Sequence, residues 1–549
     1  MTSKKVLLGA TVAAVLLAAT ACGGNSNNSK PSGSSAATAD PRYGGTMTVA
    51  YKSDPKTFDP AVCYDATCWN NMRMLYDRLY DYVGDTMAIE PQAAAAMPEV
   101  SPDGLTYTIK LRPGMTFSDG KPVTAKDFAY SFSRILDPAT KSPVTSFWTV
   151  VAGADAYAKN PSGTLSGITA TSDTELQIKL TAPNSAFKYV LAMPHASVIE
   201  QGSGSTIATK PVGSGPFTLD HFTPGQEIVV NRNAKYWDYP KPYVAKVVEK
   251  LGVDPQIQLL QLEKKQIDLM GDPIPPAQYL QVKNDASLKG QTKTIVKPST
   301  YFLTMNTQKA PFNNPKVREA VSYAIDRDFL LKLVSGQGKA ANEFLPPAIV
   351  GHTNDKLVHD QDITKAKQLL TEAGFPNGFS TTLYSWNTPP WTQLLPQIQQ
   401  DLGKIGIKVD AQPVQQSTFF DVAGTPGKAP MTLTFWVADY PDGSDFYQAL
   451  LSCPAAVAGG QNYSFYCNKN VDALVNKALA APSQDQANTI YAQATKMMLA
   501  DNPVVPLYYG SKTEVFGNEV GGYHSQPVWG WDMTAYWKTT GSTSKPAKG

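Results

Sequence analysis

Charge is scarce in this 549-residue chain, and what there is cancels. Charged residues make up 17%, with 48 basic against 46 acidic side chains. That balance excludes a strongly basic nucleic-acid-binding protein, which needs a cationic face. Histidine is rarer still: the five at positions 195, 221, 352, 359 and 524 are scattered, and none has metal-ligand spacing. There is no G-x-S-x-G elbow, no H-E-x-x-H pair and no complete Walker A loop. Ser53-Asp54-Pro55-Lys56 fits S-x-x-K, but no K-T-G accompanies it, and its proline stops the helix that motif requires. No internal repeat is visible. These absences argue against an enzyme, a metal site, a cofactor and a nucleic-acid partner.

What is present is a globular composition. Hydrophobic residues reach 42%, and 42 prolines with 40 glycines imply many turns and long connections. At roughly 100–200 residues per domain, the length suggests two to four domains.

The N-terminus carries an address. Met1–Lys5 is basic, and Val6–Ala21 is apolar with small residues at its end, too short to read as a membrane span. Cys22 follows at once. The segment resembles a bacterial lipoprotein signal, although Ala19 stands where leucine is usual; an ordinary secretory signal cut near Ala21 is the plainer reading. Residues 1–21 are thus expected to be a signal peptide, and Cys22 the lipidation site, carrying palmitate. Removing Lys4 and Lys5 leaves 46 basic against 46 acidic residues, a neutral mature chain. Residues 22–42 are rich in Gly, Ser and Asn and contain almost no large apolar side chain. Such a segment cannot pay for folding. As a flexible tether, its coil spans roughly 20–25 Å.

Setting Cys22 aside leaves Cys63, Cys68, Cys453 and Cys467. An even remainder in a secreted chain suggests two disulfides, and closeness in sequence favours Cys63–Cys68 and Cys453–Cys467.

Periodicity places the elements. Met47–Tyr51, Leu105–Leu111 and Thr174–Leu180 read as strands, and Phe217–Asn231 as a hairpin turning at Pro224-Gly225. The apolar positions Met74, Leu75, Leu79 and Tyr80 predict an amphipathic helix over Asn70–Tyr82. Thr124 caps a helix to Leu136. Beyond residue 300 the rhythm changes to alternating helices and strands. Asn314 caps one helix with Pro315 at its first position, and Asp326 caps another over Phe329–Val334. Further helices are predicted over Asp362–Ala373, Leu394–Leu402 and Gln484–Leu499, with strands at Ile407–Ala411 and Thr432–Val437. That alternation argues for an α/β lobe.

Four blocks then carry a resemblance. They are Pro98–Ser131 (PEVSPDGLTYTIKLRPGMTFSDGKPVTAKDFAYS), Pro211–Trp237 (PVGSGPFTLDHFTPGQEIVVNRNAKYW), Asn314–Leu330 (NPKVREAVSYAIDRDFL) and Phe435–Phe446 (FWVADYPDGSDF), the last followed by Tyr491–Tyr509. In this order they resemble the family 5, peptide/nickel-type, extracellular solute-binding proteins of ABC importers, over about residues 44–509. The resemblance implies an α/β, two-lobed, periplasmic-binding-protein-like fold, with an extra α+β domain inserted in the first lobe and the ligand cleft between the lobes. The first lobe would comprise 43–90, 211–300 and 505–540; the inserted domain 91–210; the second lobe 301–504; residues 541–549 would be a disordered tail. It further implies a peptide ligand, ABC permease subunits as partners, a lipid-anchored place on the outer face of the membrane, and a monomer.

The most informative positions lie just past the Thr432–Val437 strand, where ligand crevices form in α/β sheets. Peptide-binding members pair an acidic residue there with the ligand's α-ammonium, which implies that role for Asp439. The plainer reading makes Asp439 or Asp442 a helix cap; Asp442 and Ser444 suit that role better. Trp436, Tyr440, Trp386 and Tyr463 are candidate pocket walls, as is Trp391, although most aromatics in such a set belong to a core. Tyr64, in the Ala61–Thr67 stretch, would come from the opposite wall. Dipeptide-specific members place a base near 385–395; here Ser385–Leu395 reads SWNTPPWTQLL, with none, which points to longer peptides. Oligosaccharide and nickel-chelate cargoes remain the rival readings.

Overall fold

The structure is a computed structural model that describes residues 42–161, 165–528 and 530–539. The expected signal peptide, Cys22, the tether up to residue 41 and the 541–549 tail lie outside those residues.

Thr46–Ala50 alternates as a half-buried strand should, with Met47 and Val49 fully buried. It is hydrogen-bonded in parallel to Lys246–Lys250 and Leu269–Met270. The hairpin of Phe217–Thr223 and Glu227–Arg232 completes this five-stranded sheet. Gly225 turns the hairpin with φ +69°, a conformation that L side chains resist.

A four-stranded antiparallel sheet holds Glu99–Val100, Thr106–Lys110, Glu175–Lys179 and Ile168–Ser172. The Ala125–Leu136 helix packs on it. Its start is set by the Asp127 carboxylate, which accepts the Thr124 N–H at 2.8 Å. Phe128, Phe132, Trp148 and Phe187 fill the space between, all buried.

A six-stranded sheet runs in the order Gly338–Ala340, Val504–Val515, Thr292–Met305, Met431–Val437, Ser380–Trp386, Lys408–Val414. Its last three strands are parallel and joined through helices, as βα units require. The surrounding helices begin where short polar side chains accept backbone N–H groups: Asn314 from Lys316, Asp326 from Phe329 and Asp362 from Lys365. Two of them start earlier than periodicity predicts, at Arg327 and at Trp391.

Thr292–Met305 and Val504–Val515 join the two halves. Val515 shares a core with Ala50 and Met270 of the first sheet region, whereas Leu303 and Val505 belong to the core under the six-stranded sheet. The pairing of these two long strands slips between Val296 and Thr300. The mixed α/β, two-lobed fold expected from the sequence is the fold observed.

The predicted Asn70–Tyr82 helix is a correction. The helix runs from Ala66 to Leu75, with Asp65 as its cap. The chain then turns extended at Tyr76, and Tyr80–Tyr82 pairs as a strand with Ile89–Pro91. The helical spacing of Met74, Leu75, Leu79 and Tyr80 is overridden by tertiary contact. Gly213 and Gly215 lie so close that a Cβ on Gly213 would meet the Leu75 carbonyl at 1.9 Å. Asp77 is drawn out to accept Tyr236 Oη at 3.0 Å and Trp237 Nε1 at 3.2 Å.

Candidate functional site

Met431–Val437 ends at the side where its parallel neighbours also end, the face on which α/β sheets collect ligands. The next residues leave the sheet under constraint. Ala438 N–H donates to the Pro298 carbonyl at 2.8 Å, and Asp442 accepts from Ser444 N–H at 2.9 Å. Asp442 is thereby the cap of the Gly443–Leu450 helix, and it also accepts the Tyr491 hydroxyl at 2.6 Å. Between these fixed points stands Asp439.

Asp439 is 4% exposed and has no cation beside it among the described residues. Its Oδ1 accepts the hydroxyl of Tyr64, which comes from the other half of the molecule. Burial pushes the Asp439 carboxyl up to about 6, partly offset by that hydrogen bond. Tyr64 is held above its ordinary value, by burial first and by the Asp439 charge second. It is therefore a neutral donor to a carboxylate.

A second carboxylate lies next to the first. Asp445 is 2% exposed, and its Oδ2 accepts Trp436 Nε1 at 2.8 Å and Asp439 N–H at 3.2 Å. Its Oδ1 has no partner among the described residues. Burial, with the Asp439 charge behind it, raises the Asp445 carboxyl well above the usual range. Two buried carboxyl groups lie side by side here, with no counter-charge among the described residues, an arrangement that favours a cation as partner.

The wall that supplies Tyr64 is built in. Cys63 is bonded to Cys68 and closes a short loop with Tyr64 inside it. The Tyr64 ring packs edge-on to Trp69 at 5.5 Å and tilted against His195 at 5.4 Å. His195 is buried, and burial pushes it down to about 3, so the imidazole is neutral. The second disulfide, Cys453–Cys467, closes the loop that carries Tyr463.

Of the predicted site residues, the structure brings Asp439, Tyr64 and Trp436 together. Trp386 and Tyr463 form a second group: Trp386 lies within 5.5–6.2 Å of Trp391, Phe419, Phe420 and Phe435, and Tyr463 meets Phe419 at 5.6 Å. Trp391 is 2% exposed and belongs to the core. Tyr440 belongs with neither group. It is buried, its hydroxyl lies 3.2 Å from Ser444 Oγ, and its ring meets Phe147 of the four-stranded-sheet region at 5.8 Å. Sequence reasoning missed Asp445 and His195. Asp445 stands three residues after a helix cap, where an acid usually serves the helix dipole; only its burial shows otherwise. Among the described residues, no group of three His, Cys, Asp or Glu gathers to hold a metal.

Two halves joined by paired strands, with Tyr64 of one meeting Asp439 of the other, form the two-lobed architecture of a binding protein. The chain belongs to the bacterial extracellular solute-binding proteins, family 5, whose profile matches residues 88–457. It is a solute-binding protein of the ABC-importer kind, acting outside the cytoplasm. The dipeptide-binding protein of Escherichia coli K12 is 28% identical over 507 residues, covering 88% of this chain and 92% of that protein. Heme-binding protein A of Haemophilus influenzae is 28% identical over 519 residues, covering 90% and 92%. Among solved structures, the ABC transporter-associated periplasmic binding protein DppA from Helicobacter pylori, in complex with peptide STSA, matches with a TM-score of 0.73 at 28% identity, over 91% of this chain and 99% of that one.

Proposed function

We propose that this protein captures peptides by their N-terminal ammonium group and delivers them to an ABC permease. The observation that carries the reading is the buried Asp439 carboxylate, with Asp445 beside it, capped from the facing half by a neutral tyrosine and lacking any cation among the described residues. A desolvated carboxylate demands a charge-assisted partner, and an α-ammonium supplies both the charge and three donors. Tyr64 completes the reading as a gate that touches Asp439 from the facing wall. Trp436 would sit beside the ammonium, and Trp386 and Tyr463 would offer flat walls tolerant of varied side chains.

The partition proposed is a first lobe of 43–90, 211–300 and 505–540, an inserted domain of 91–210 and a second lobe of 301–504. A main buried core at each of the three sheets supports it, the one at the four-stranded sheet also taking in Leu79, Tyr80 and Tyr440 from the two lobes. The paired strands 292–305 and 504–515 would serve as the hinge. Cys22, acylated after removal of residues 1–21, would hold the protein as a monomer at the outer face of the membrane. A Cys22→Ser variant would then pass from the membrane fraction to the soluble one.

Calorimetry with a tripeptide tests the ammonium reading. Asp439→Asn should weaken binding by about 2–5 kcal/mol, and N-acetylation of the peptide should do the same to the native protein. An unchanged affinity in both cases refutes the role given to Asp439.

A further inference from the structure

Two residues from the six-stranded-sheet half are buried in the core of the four-stranded sheet. Tyr440 and Leu479 are each 5% exposed, and both pack among the side chains of that core. The Tyr440 ring stands edge-on to Phe147 at 5.8 Å, with 83° between the planes. Leu479 ends the Lys469–Leu479 helix, where the last carbonyls have no partner within the helix. Its carbonyl accepts the Ser185 N–H at 2.9 Å. Burial raises the Asp442 carboxyl, and the charge of Lys188, on Phe187–Val190, is among the groups that oppose it.

The chain does not enforce these contacts. Residues 301–504 connect to the first lobe through the paired strands Thr292–Met305 and Val504–Val515, and residues 91–210 connect to it at their own two ends. A rotation of the second lobe about the paired strands would therefore part Tyr440 from Phe147 and Leu479 from Ser185. The seam is also incompletely filled. A cavity of about 370 Å³ lies between Phe147, Asn184 and Val190 on one side and Tyr440, Gln448 and Leu479 on the other. Cores are packed as densely as organic crystals, and surfaces that face a void forgo part of their dispersion attraction, so this seam separates at less cost than a core. One turn serves both contacts with the rest of the molecule: Asp439 accepts the Tyr64 hydroxyl, and the next residue seats its ring on Phe147.

We infer that Tyr440 is a positioning residue: seated on Phe147, it latches the second lobe to the inserted domain, holds the turn that bears Asp439 against the Tyr64 wall, and keeps the lobes closed. The inserted domain thereby takes part in binding through a seam outside the Asp439 site. The inference rests on the partition into lobes and the hinge proposed above, and does not require the ligand to be a peptide.

The test measures opening directly. Spin labels on cysteines introduced at the exposed Lys159 and Lys477, in the full-length protein made soluble by Cys22→Ser, report the distance across the seam. Without ligand, Phe147→Ala should lengthen and broaden that distance, and Phe147→Tyr, which keeps the ring, should restore it. With trialanine as the probe, dissociation from Phe147→Ala should quicken at least fivefold while association stays within twofold. Tyr440→Leu should act alike, and adding it to Phe147→Ala should change little more, since both remove one contact. Phe147→Leu replaces the alanine variant if that one does not fold, with a smaller change in the same direction. Amide exchange supplies a second readout: Ser185, bonded across the seam, should exchange about tenfold faster in the variant, whereas Ile199, which donates to Ser131 Oγ at 2.9 Å within the inserted domain, should not change. A merely structural role for Phe147 would lower the urea midpoint and leave the label distance where it was. An unchanged distance, or effects of Phe147→Ala and Tyr440→Leu that simply add, overturns the inference. A label distance that lengthens as expected in a protein that does not bind trialanine supports the latch and removes the peptide reading alone.

Discussion

Replacing Asp439 by asparagine should make the empty protein more stable while destroying its function. The Asp439 carboxyl titrates at about 6 in the fold, against about 3.9 in an unfolded chain. Below pH 3.9 both states hold the proton and nothing is lost. Between 3.9 and about 6 the unfolded chain releases it while the fold retains it, so stability falls as pH rises through that window. Each pH unit is worth about 1.4 kcal/mol, which gives a loss approaching 3 kcal/mol by pH 7. Asp445 shares the field, so this figure is a ceiling. Asparagine keeps the shape and an oxygen that can accept from Tyr64, but never ionises. Denaturant unfolding of native and Asp439→Asn proteins at pH 4, 5.5 and 7, without ligand, should show a difference that is small at pH 4 and reaches about 1–3 kcal/mol at pH 7. A variant less stable than the native protein at pH 7, or a difference independent of pH, refutes the claim that the carboxylate is buried uncompensated. The expected result would make the site one more case in which a functional group is kept at the expense of stability.

Tyr64→Phe removes the hydroxyl that meets Asp439 across the cleft. A hydrogen bond to a charged group is worth about 1.5–3 kcal/mol, so stopped-flow dissociation of a bound peptide should quicken tenfold or more, and X-ray scattering of the empty protein should show a more open average shape. Asp442→Ala removes a helix cap and strands the Tyr491 hydroxyl, at a combined cost of about 2–4 kcal/mol; urea titration should show the loss and Asp442→Asn should recover most of it. Thiol titration of the denatured, unreduced mature protein should find no free thiol, and four after reduction, from Cys63, Cys68, Cys453 and Cys467. Reduction should also weaken peptide binding, because Tyr64 sits inside the Cys63–Cys68 loop.

Much of this fold is written locally. The caps at Asn314, Asp326 and Asp362 are single polar side chains placed before apolar stripes, and each opens a helix, the one at Asp326 two residues ahead of the predicted Phe329. The hairpin at Gly225 likewise needs only its own turn. What local signals could not supply was contact made at long range. The stripe from Met74 to Tyr80 is a fair helix until Gly213 and Gly215, some 135 residues later, press on its backbone. Asp439 was legible as a candidate because it follows a strand. Its neighbour Asp445 was not, because the spacing from Asp442 is that of an ordinary helix start and only folding reveals that it is buried with one oxygen unpaired. Tyr440 shows the opposite error. Standing next to Asp439, it looks like a pocket wall, yet past the strand's end its ring meets Phe147 instead.

The central claim, capture of a peptide by its ammonium group, is tested most directly by what the protein carries when it is isolated. Native mass spectrometry of protein purified without denaturation, followed by release and sequencing of the bound species, should give peptides of three or more residues with free amino termini. A hexose oligomer or a metal chelate in their place would contradict the account.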